Sequence, residues 1–197
     1  MKLNNKNLWD KAKKIIPGGN GLLSKRPERF LPDGWPTYFK KASGVFIWDL
    51  NNKKYIDMTS MGIGTSVLGY NNKFINNFVK EKIDRGINTT LNCYEEYELG
   101  KELLKIDKFA DQVRFTRGGG EAMSLAIRIA RSKSKKTKII FSGYHGWHDW
   151  YLSANIKNIK NLNNHLLKNL KPLGVPKIYK NSAIPLEFNN ISQLHKL

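Results

Sequence analysis

The chain reads as an α/β protein, and two stretches carry that reading. Over Asp111–Gly146 a strand, a glycine turn, a helix, a second strand and an aromatic turn follow one another. Before it, residues 38–58 carry short aromatic-rich strands separated by tight turns. A segment whose apolar residues change from alternating spacing to helical spacing and back belongs to an α/β unit.

The elements follow in order. Leu8–Ile16 has Leu8, Ala12, Ile15 and Ile16 at helical spacing and is stopped by Pro17-Gly18-Gly19. Gly21 to Pro36 is Pro-rich and poorly periodic. Tyr38–Asp49 predicts two strands around a Ser-Gly turn, Asp49–Lys54 a second tight turn, and Tyr55–Met58 a third short strand. The glycine-rich run Met61–Tyr70 predicts a tight buried loop or, alternatively, a wall of an active site or subunit interface, because glycines admit close backbone approach. Lys73–Arg85 and Tyr94–Ile106 each repeat helical spacing.

The alternation of Val113 and Phe115 predicts a strand over Gln112–Thr116, which enters the turn Arg117-Gly118-Gly119-Gly120. Glu121–Arg131 is a long apolar-faced helix, and the strand Lys138–Ser142 leads to Gly143-Tyr144-His145-Gly146. Beyond Trp150 the chain turns Asn- and Lys-rich, punctuated by Pro172, Pro176 and Pro185, and predicts an extended excursion over the surface. Ile191, Leu194 and Leu197 have the spacing of an amphipathic helix that ends without a cap.

With 197 residues, 40% of them hydrophobic, the chain is long enough to bury a core as one soluble domain with a small N-terminal appendage. No apolar run has the length of a membrane span, and the first residues lack the apolar stretch of a signal peptide. A single cysteine, Cys93, excludes an internal disulfide framework and fits a reducing compartment, so a cytoplasmic location is expected.

Gly118-Gly119-Gly120 stands between a strand and a helix. Helix N-termini carry unpaired N–H groups and partial positive charge, so a phosphate can bind there, and glycine removes the Cβ that would hold it off. Alone, the turn is equally a structural one: no Lys-Ser or Lys-Thr follows it, and Met123 stands where a G-x-G-x-x-G pattern needs its third glycine. Tyr144, leaving the next strand, supplies a flat ring for stacking. His145, His148 and Asp149 lie close in sequence, but a metal site needs three or four convergent ligands, and none is expected here. No catalytic-triad pattern and no obvious carboxylate pair is present.

The ordered series of motifs resembles a known family. Val113–Arg131 followed by Lys138–Gly146 is similar to the class III, pyridoxal-phosphate-dependent aminotransferases, in the branch of glutamate-1-semialdehyde 2,1-aminomutase and its relatives. Ile16–Gly19, Val45–Asp49 through Tyr55–Asp57, and the later stretches His165–Leu167, Gly174–Pro176 and Ala183–Pro185 are similar too, so the likeness covers nearly the whole chain. It implies a fold-type I architecture: a large α/β domain on a mostly parallel sheet, here incomplete, over residues 59–197. Residues 1–58 would be an N-terminal helix and antiparallel ribbon belonging to the small domain.

The resemblance also implies a site. Gly118, Gly119 and Gly120 would hold the phosphate of pyridoxal 5′-phosphate, Tyr144 would stack on its ring beside His145, and Ser24 and Arg26 would meet a substrate carboxylate. It implies a homodimer with active sites at the subunit interface, acting on a small amino/oxo substrate. In the aminomutase version the amino group moves between adjacent carbons of one molecule. An ordinary transaminase acting on two substrates, and a non-catalytic binding or regulatory module, are the alternatives.

Two departures stand out. The family turn is usually Asn-Ser-Gly-Thr-Glu-Ala, whereas this chain has Arg117-Gly118-Gly119-Gly120-Glu121-Ala122, without the hydroxyl residue before the glutamate. About 1 kcal/mol of hydrogen bonding goes with that hydroxyl. Family members are also about twice as long. Their cofactor-linked lysine and the acidic residue that faces the pyridine nitrogen lie beyond Leu197, so the expectation is an N-terminal fragment inactive by itself.

The charge is the remaining feature. A net +18 at a pI near 9.9 is the mark of many nucleic-acid binders, but the lysines are scattered from Lys2 to Lys196 rather than gathered on one element. Abundant Lys, Asn and Ile together fit an A/T-rich coding bias instead, and no specific nucleic-acid or membrane partner is expected. Retention of the chain on immobilised DNA should be weak and should vanish as salt is raised to physiological strength. Sequence-selective binding in a filter assay at that salt would overturn this reading.

Overall fold

In the computed structural model, which describes residues 5–31, 33–165 and 168–196, the chain separates into two units, Met1–Asn92 and Cys93–Leu197. Each is taken by itself.

The first unit opens with helix α1 (Asn5–Ile15). Its buried face is Trp9 and Ala12, flanked by half-buried Asn5 and Leu8, whereas Ile15, placed on that face by spacing alone, is 81% exposed. Trp9 decides the orientation because an indole is the largest apolar surface the helix can cover. Gly19 packs onto its ring so closely that a Cβ there would lie 2.3 Å from the indole. Trp9 Nε1 donates to Glu28 Oε1 at 2.8 Å, and that bond, first among its causes, holds the Glu28 carboxyl below its ordinary range.

Strands β1 (Phe39–Ser43), β2 (Phe46–Asp49) and β3 (Lys54–Ile56) form an antiparallel ribbon in that order. Ser43 faces Phe46 across a two-residue Gly44-Val45 turn. The next turn is organised by Asp49, a buried carboxylate that accepts from the N–H of Asn51 and Lys53 at 2.8 and 2.9 Å and from the Tyr55 hydroxyl at 3.1 Å. Three donors replace the hydration that burial removes, which is what allows a carboxylate to sit there. Lys54 Nζ lies 3.6 Å from the Phe46 ring centroid, and Lys41 Nζ lies 4.9 Å from that of Trp48.

Met61–Tyr70 is a run of turns rather than a buried loop: Val67 is 82% exposed and Leu68 is exposed as well. Only its end makes the close approach that the glycines suggested, where Gly69 meets Gly44 and Tyr70 exchanges two backbone hydrogen bonds with Gly44 at 2.8 Å. Tyr70 also donates its hydroxyl to Asp57 Oδ2, and burial followed by that bond pushes its pKa up to about 12. Helix α2 (Lys73–Asp84) follows, capped by Asn72, whose side chain accepts from Ile75 N.

The second unit holds α3 (Tyr94–Ile106), α4 (Gly119–Ser134), β4 (Ile139–Phe141), α5 (Asp149–Leu152), β5 (Ala183–Pro185) and α6 (Ile191–Leu194). Strands β4 and β5 pair in parallel, Ile139 with Ala183 and Phe141 with Pro185. The core gathers Ile127 of α4, Phe141 of β4, Trp150, Tyr151, Ala154, Leu162 and Ala183. The expected strand over Gln112–Thr116 keeps its alternation, with Val113 and Phe115 half-buried, but it is not a strand: no ladder partner pairs with it among the described residues. Alternation sets which side chains are covered; a strand also needs a neighbour for its N–H and C=O groups.

The expected surface excursion beyond Trp150 is corrected as well. Ser153, Ala154, Asn155 and Leu162 are buried, Leu162 at 1% exposure. Asparagine side chains there supplement the 3₁₀ turn Ser153–Asn155. Asn155 accepts from Leu162 N at 3.0 Å and donates to Leu170 O at 2.7 Å, while Asn161 donates to Ala154 O at 2.7 Å. A primary amide offers both donor and acceptor, so an Asn-rich loop can bury its own backbone. Leu166, Leu167 and Leu197, to which the sequence reading also gave places, lie outside the described residues. No helix among the described residues is long and apolar enough to cross a membrane.

Asn155→Ala should therefore cost about 3 kcal/mol, because it leaves the buried Leu162 N–H and the Leu170 carbonyl without partners. Urea unfolding followed by tryptophan fluorescence measures the loss.

Candidate functional site

The site is built from two turns of the second unit. At the end of β4 the chain reverses through Gly143 and Gly146, both in the left-handed region at φ +84° and +95°. Two histidines pin this turn by donating to its carbonyls, His145 Nε2 to Ser142 O and His165 Nδ1 to Gly143 O, each at 2.7 Å. Because a carbonyl only accepts, each bond fixes which ring nitrogen carries the proton. Phe141 lies beneath both imidazoles with ring centroids 5.9 and 5.5 Å away.

The glycine turn sits against this one. Gly118 caps α4 in extended conformation, and Glu121 reaches back so that its Oε2 accepts from Arg117 N at 3.0 Å. The backbones touch: a Cβ on Gly146 would lie 3.2 Å from Gly120 Cα. A Cβ on Gly120 would lie 2.7 Å from both Nε2 and Cδ2 of His148. Over Gly118 and Gly119 a Cβ would meet nothing within 4 Å. The first turn of α4 is thus walled on one side by Gly146 and His148 and open on the other. Its N–H groups have no intrahelical acceptors, which makes this open face a place for an anion.

Tyr144 leaves the aromatic turn 47% exposed. Its ring stands edge-on to Tyr151, with centroids 5.6 Å apart and planes at 87°, so it is braced from one side. Tyr151 is almost fully buried, and burial pushes its hydroxyl pKa up to about 12. His148 is half-buried and lies face to face with Trp147, centroids 4.8 Å apart at 14°. Beyond it a cavity of about 610 Å³ is lined by Arg128 and Arg131 of α4, Trp147, Asp149 and Tyr179.

Of the residues singled out from sequence, Gly118, Gly119 and Gly120 and the turn carrying Tyr144 and His145 come together in the second unit. Ser24 and Arg26 belong to the first. Ser24 is exposed in a single 3₁₀ turn, Leu23–Lys25, and the Arg26 guanidinium lies against Gly18, with its Nε buried and without a partner. Among the described residues no group of three or more His, Cys, Asp or Glu is placed to hold a metal. Sequence reasoning missed His165 as a brace of the turn and His148 as a wall of it. For His148 the signal was available: a glycine at a helical position, which the helix itself does not require.

A family model described as "Aminotransferase class-III" matches residues 33–195. Glutamate-1-semialdehyde 2,1-aminomutase of Nitrosopumilus maritimus is 37% identical over 198 residues, covering 98% of this chain and 44% of that protein. Among solved structures, an omega-transaminase from Sphaerobacter thermophilus superposes with a TM-score of 0.79 at 23% identity, over 98% of this chain and 43% of its own. A transaminase with PLP bound superposes with a TM-score of 0.76 at 20% identity, over 98% and 45%. The structural matches establish the fold, that of the fold-type I aminotransferases. The chain spans less than half the length of the proteins it matches.

The raised Tyr151 pKa has a consequence for stability. The folded protein keeps a proton that the unfolded chain releases near pH 10, so stability is complete below that pH and falls as pH rises from about 10 toward 12. Tyr70 contributes in the same window. Tyr151→Phe should flatten part of that fall in thermal melts between pH 9 and 11.5, sampled at roughly half-unit steps; an unchanged slope would show that Tyr151 ionises alike in both states.

Proposed function

The chain belongs to the class-III aminotransferase family, and from that premise we propose that it forms the cofactor-gripping part of a pyridoxal 5′-phosphate enzyme of the aminomutase type. Such an enzyme moves an amino group between neighbouring carbons of a small amino/oxo substrate. Near-complete alignment of this chain with a glutamate-1-semialdehyde 2,1-aminomutase at 37% identity supports that type over a two-substrate transaminase.

The observation that carries the reading is the contact of Gly146 with Gly120. It sets the turn bearing a half-exposed aromatic ring against an anion-receptive helix N-terminus, the two features a phosphorylated planar cofactor needs. The residues present fit the group. The open face above Gly118 and Gly119 admits a phosphate to backbone N–H groups without a Cβ in the way, and Tyr144 offers a ring held by Tyr151. Bound there, the cofactor would supply an electron-withdrawing ring that stabilises negative charge at a substrate carbon.

The protein's own part is to bind and orient. The α4 N-terminus neutralises phosphate charge, Tyr144 fixes the plane of the ring, and His145, locked by its bond to Ser142 O, keeps the turn from collapsing into the space beside it. Ser24 and Arg26 are the proposed contacts for a substrate carboxylate. A homodimer is the proposed assembly, in keeping with the family.

Pyridoxamine 5′-phosphate, which lacks the aldehyde that reacts with surface lysines, is the probe for this reading. It should quench the intrinsic tryptophan fluorescence saturably, and Tyr144→Ala should weaken binding about tenfold, the worth of one ring stack. No saturable binding to the unmodified chain would overturn the proposal.

A further inference from the structure

Position 120 holds glycine for a reason that lies outside its own helix. The Cα–Cβ bond of a helical residue tilts toward the helix N-terminus, so a side chain at the second position of α4 would point to the rim where an anion approaches. In this chain that room is taken. The Cβ of any residue at 120 would fall 2.7 Å from both Nε2 and Cδ2 of His148, too close for a carbon, so the imidazole would have to move aside. The imidazole therefore presents its Nε2 edge at the place where a side chain on residue 120 would begin. Trp147 covers the ring face, and no hydrogen-bond partner for either ring nitrogen appears among the described residues.

We propose that His148 supplies the phosphate contact that a hydroxyl residue at position 120 would otherwise make. The two positions form one exchangeable unit: a small residue at 120 with a donor ring at 148, or a hydroxyl at 120 with a small residue at 148. Trp147 acts as a positioning residue by holding the ring edge-on. Around the same rim stand Arg117 and Glu121 at the start of α4, and Asp149 next to His148. Glu121 is committed to the Arg117 N–H, so the imidazole is free to donate outward. The inference rests on the cofactor reading given above and adds a ligand to it.

The test is a double-mutant cycle on the whole chain, with affinities for pyridoxamine 5′-phosphate and for pyridoxamine read by fluorescence. His148→Ala should weaken the phosphorylated probe about tenfold, the worth of one hydrogen bond to a charged group, and leave pyridoxamine nearly unchanged. Gly120→Thr alone should weaken it comparably, because the new side chain and the imidazole collide. The double variant G120T/H148A should recover most of the lost affinity. His148→Gln, whose amide N–H reaches the position of Nε2, should retain more affinity than His148→Ala, which separates a lost contact from a lost fold.

Equal affinities of the unmodified chain and His148→Ala would overturn the inference, as would a double variant no better than either single one. If the unmodified chain binds the phosphorylated probe no tighter than pyridoxamine, the cofactor reading fails and takes this inference with it.

Discussion

The contact of two glycine backbones, Gly146 on Gly120, is the constraint on which the rest of the second unit depends. At 3.2 Å from an added Cβ to Gly120 Cα a side chain on Gly146 would press the two backbones apart, and its φ of +95° would strain one as well. The turn after β4 and the start of α4 meet where Gly146 carries no side chain. That adjacency sets the open N–H groups of α4 beside the turn that carries Tyr144.

The remaining architecture holds the two turns in place. Phe141 ends β4 and packs against Trp150 and Tyr151 as well as His145 and His165, so one phenyl ring joins the core to the turn above it. The long segment after α5 closes the core, its backbone held by the 3₁₀ turn Ser153–Asn155, by further backbone turns and by the side chains of Asn155 and Asn161. Such bonds are local and directional, so the segment can be irregular and still exclude water around Leu162.

What could be read from the sequence was whatever depends on periodicity and turn chemistry. The helices over Asn5–Ile15, Lys73–Asp84, Tyr94–Ile106 and Gly119–Ser134, the three-stranded ribbon and the strand at Ile139–Phe141 all follow from spacing and from Gly, Asn and Asp at the turns. The misses share a cause. Gln112–Thr116 alternates without pairing, the burial of Ser153–Asn155 and Leu162 draws on side-chain amides, and α1 turns on a single indole rather than on its branched aliphatics. Each depends on which groups meet once the chain is folded, and the spacing of apolar residues does not report that. The glycine and aromatic motifs of the site were legible; their contact, and the part His148 plays in it, were not, because a glycine says nothing of what fills the room it leaves.

The ribbon shows what a lysine-rich composition can do for a surface. With Lys54 poised over Phe46 and Lys41 over Trp48, ammonium groups shield the half-buried aromatic faces of the ribbon. A lysine placed over a ring covers it with its methylene stem while keeping its charge in water, so a cation-rich surface and an aromatic ribbon are compatible.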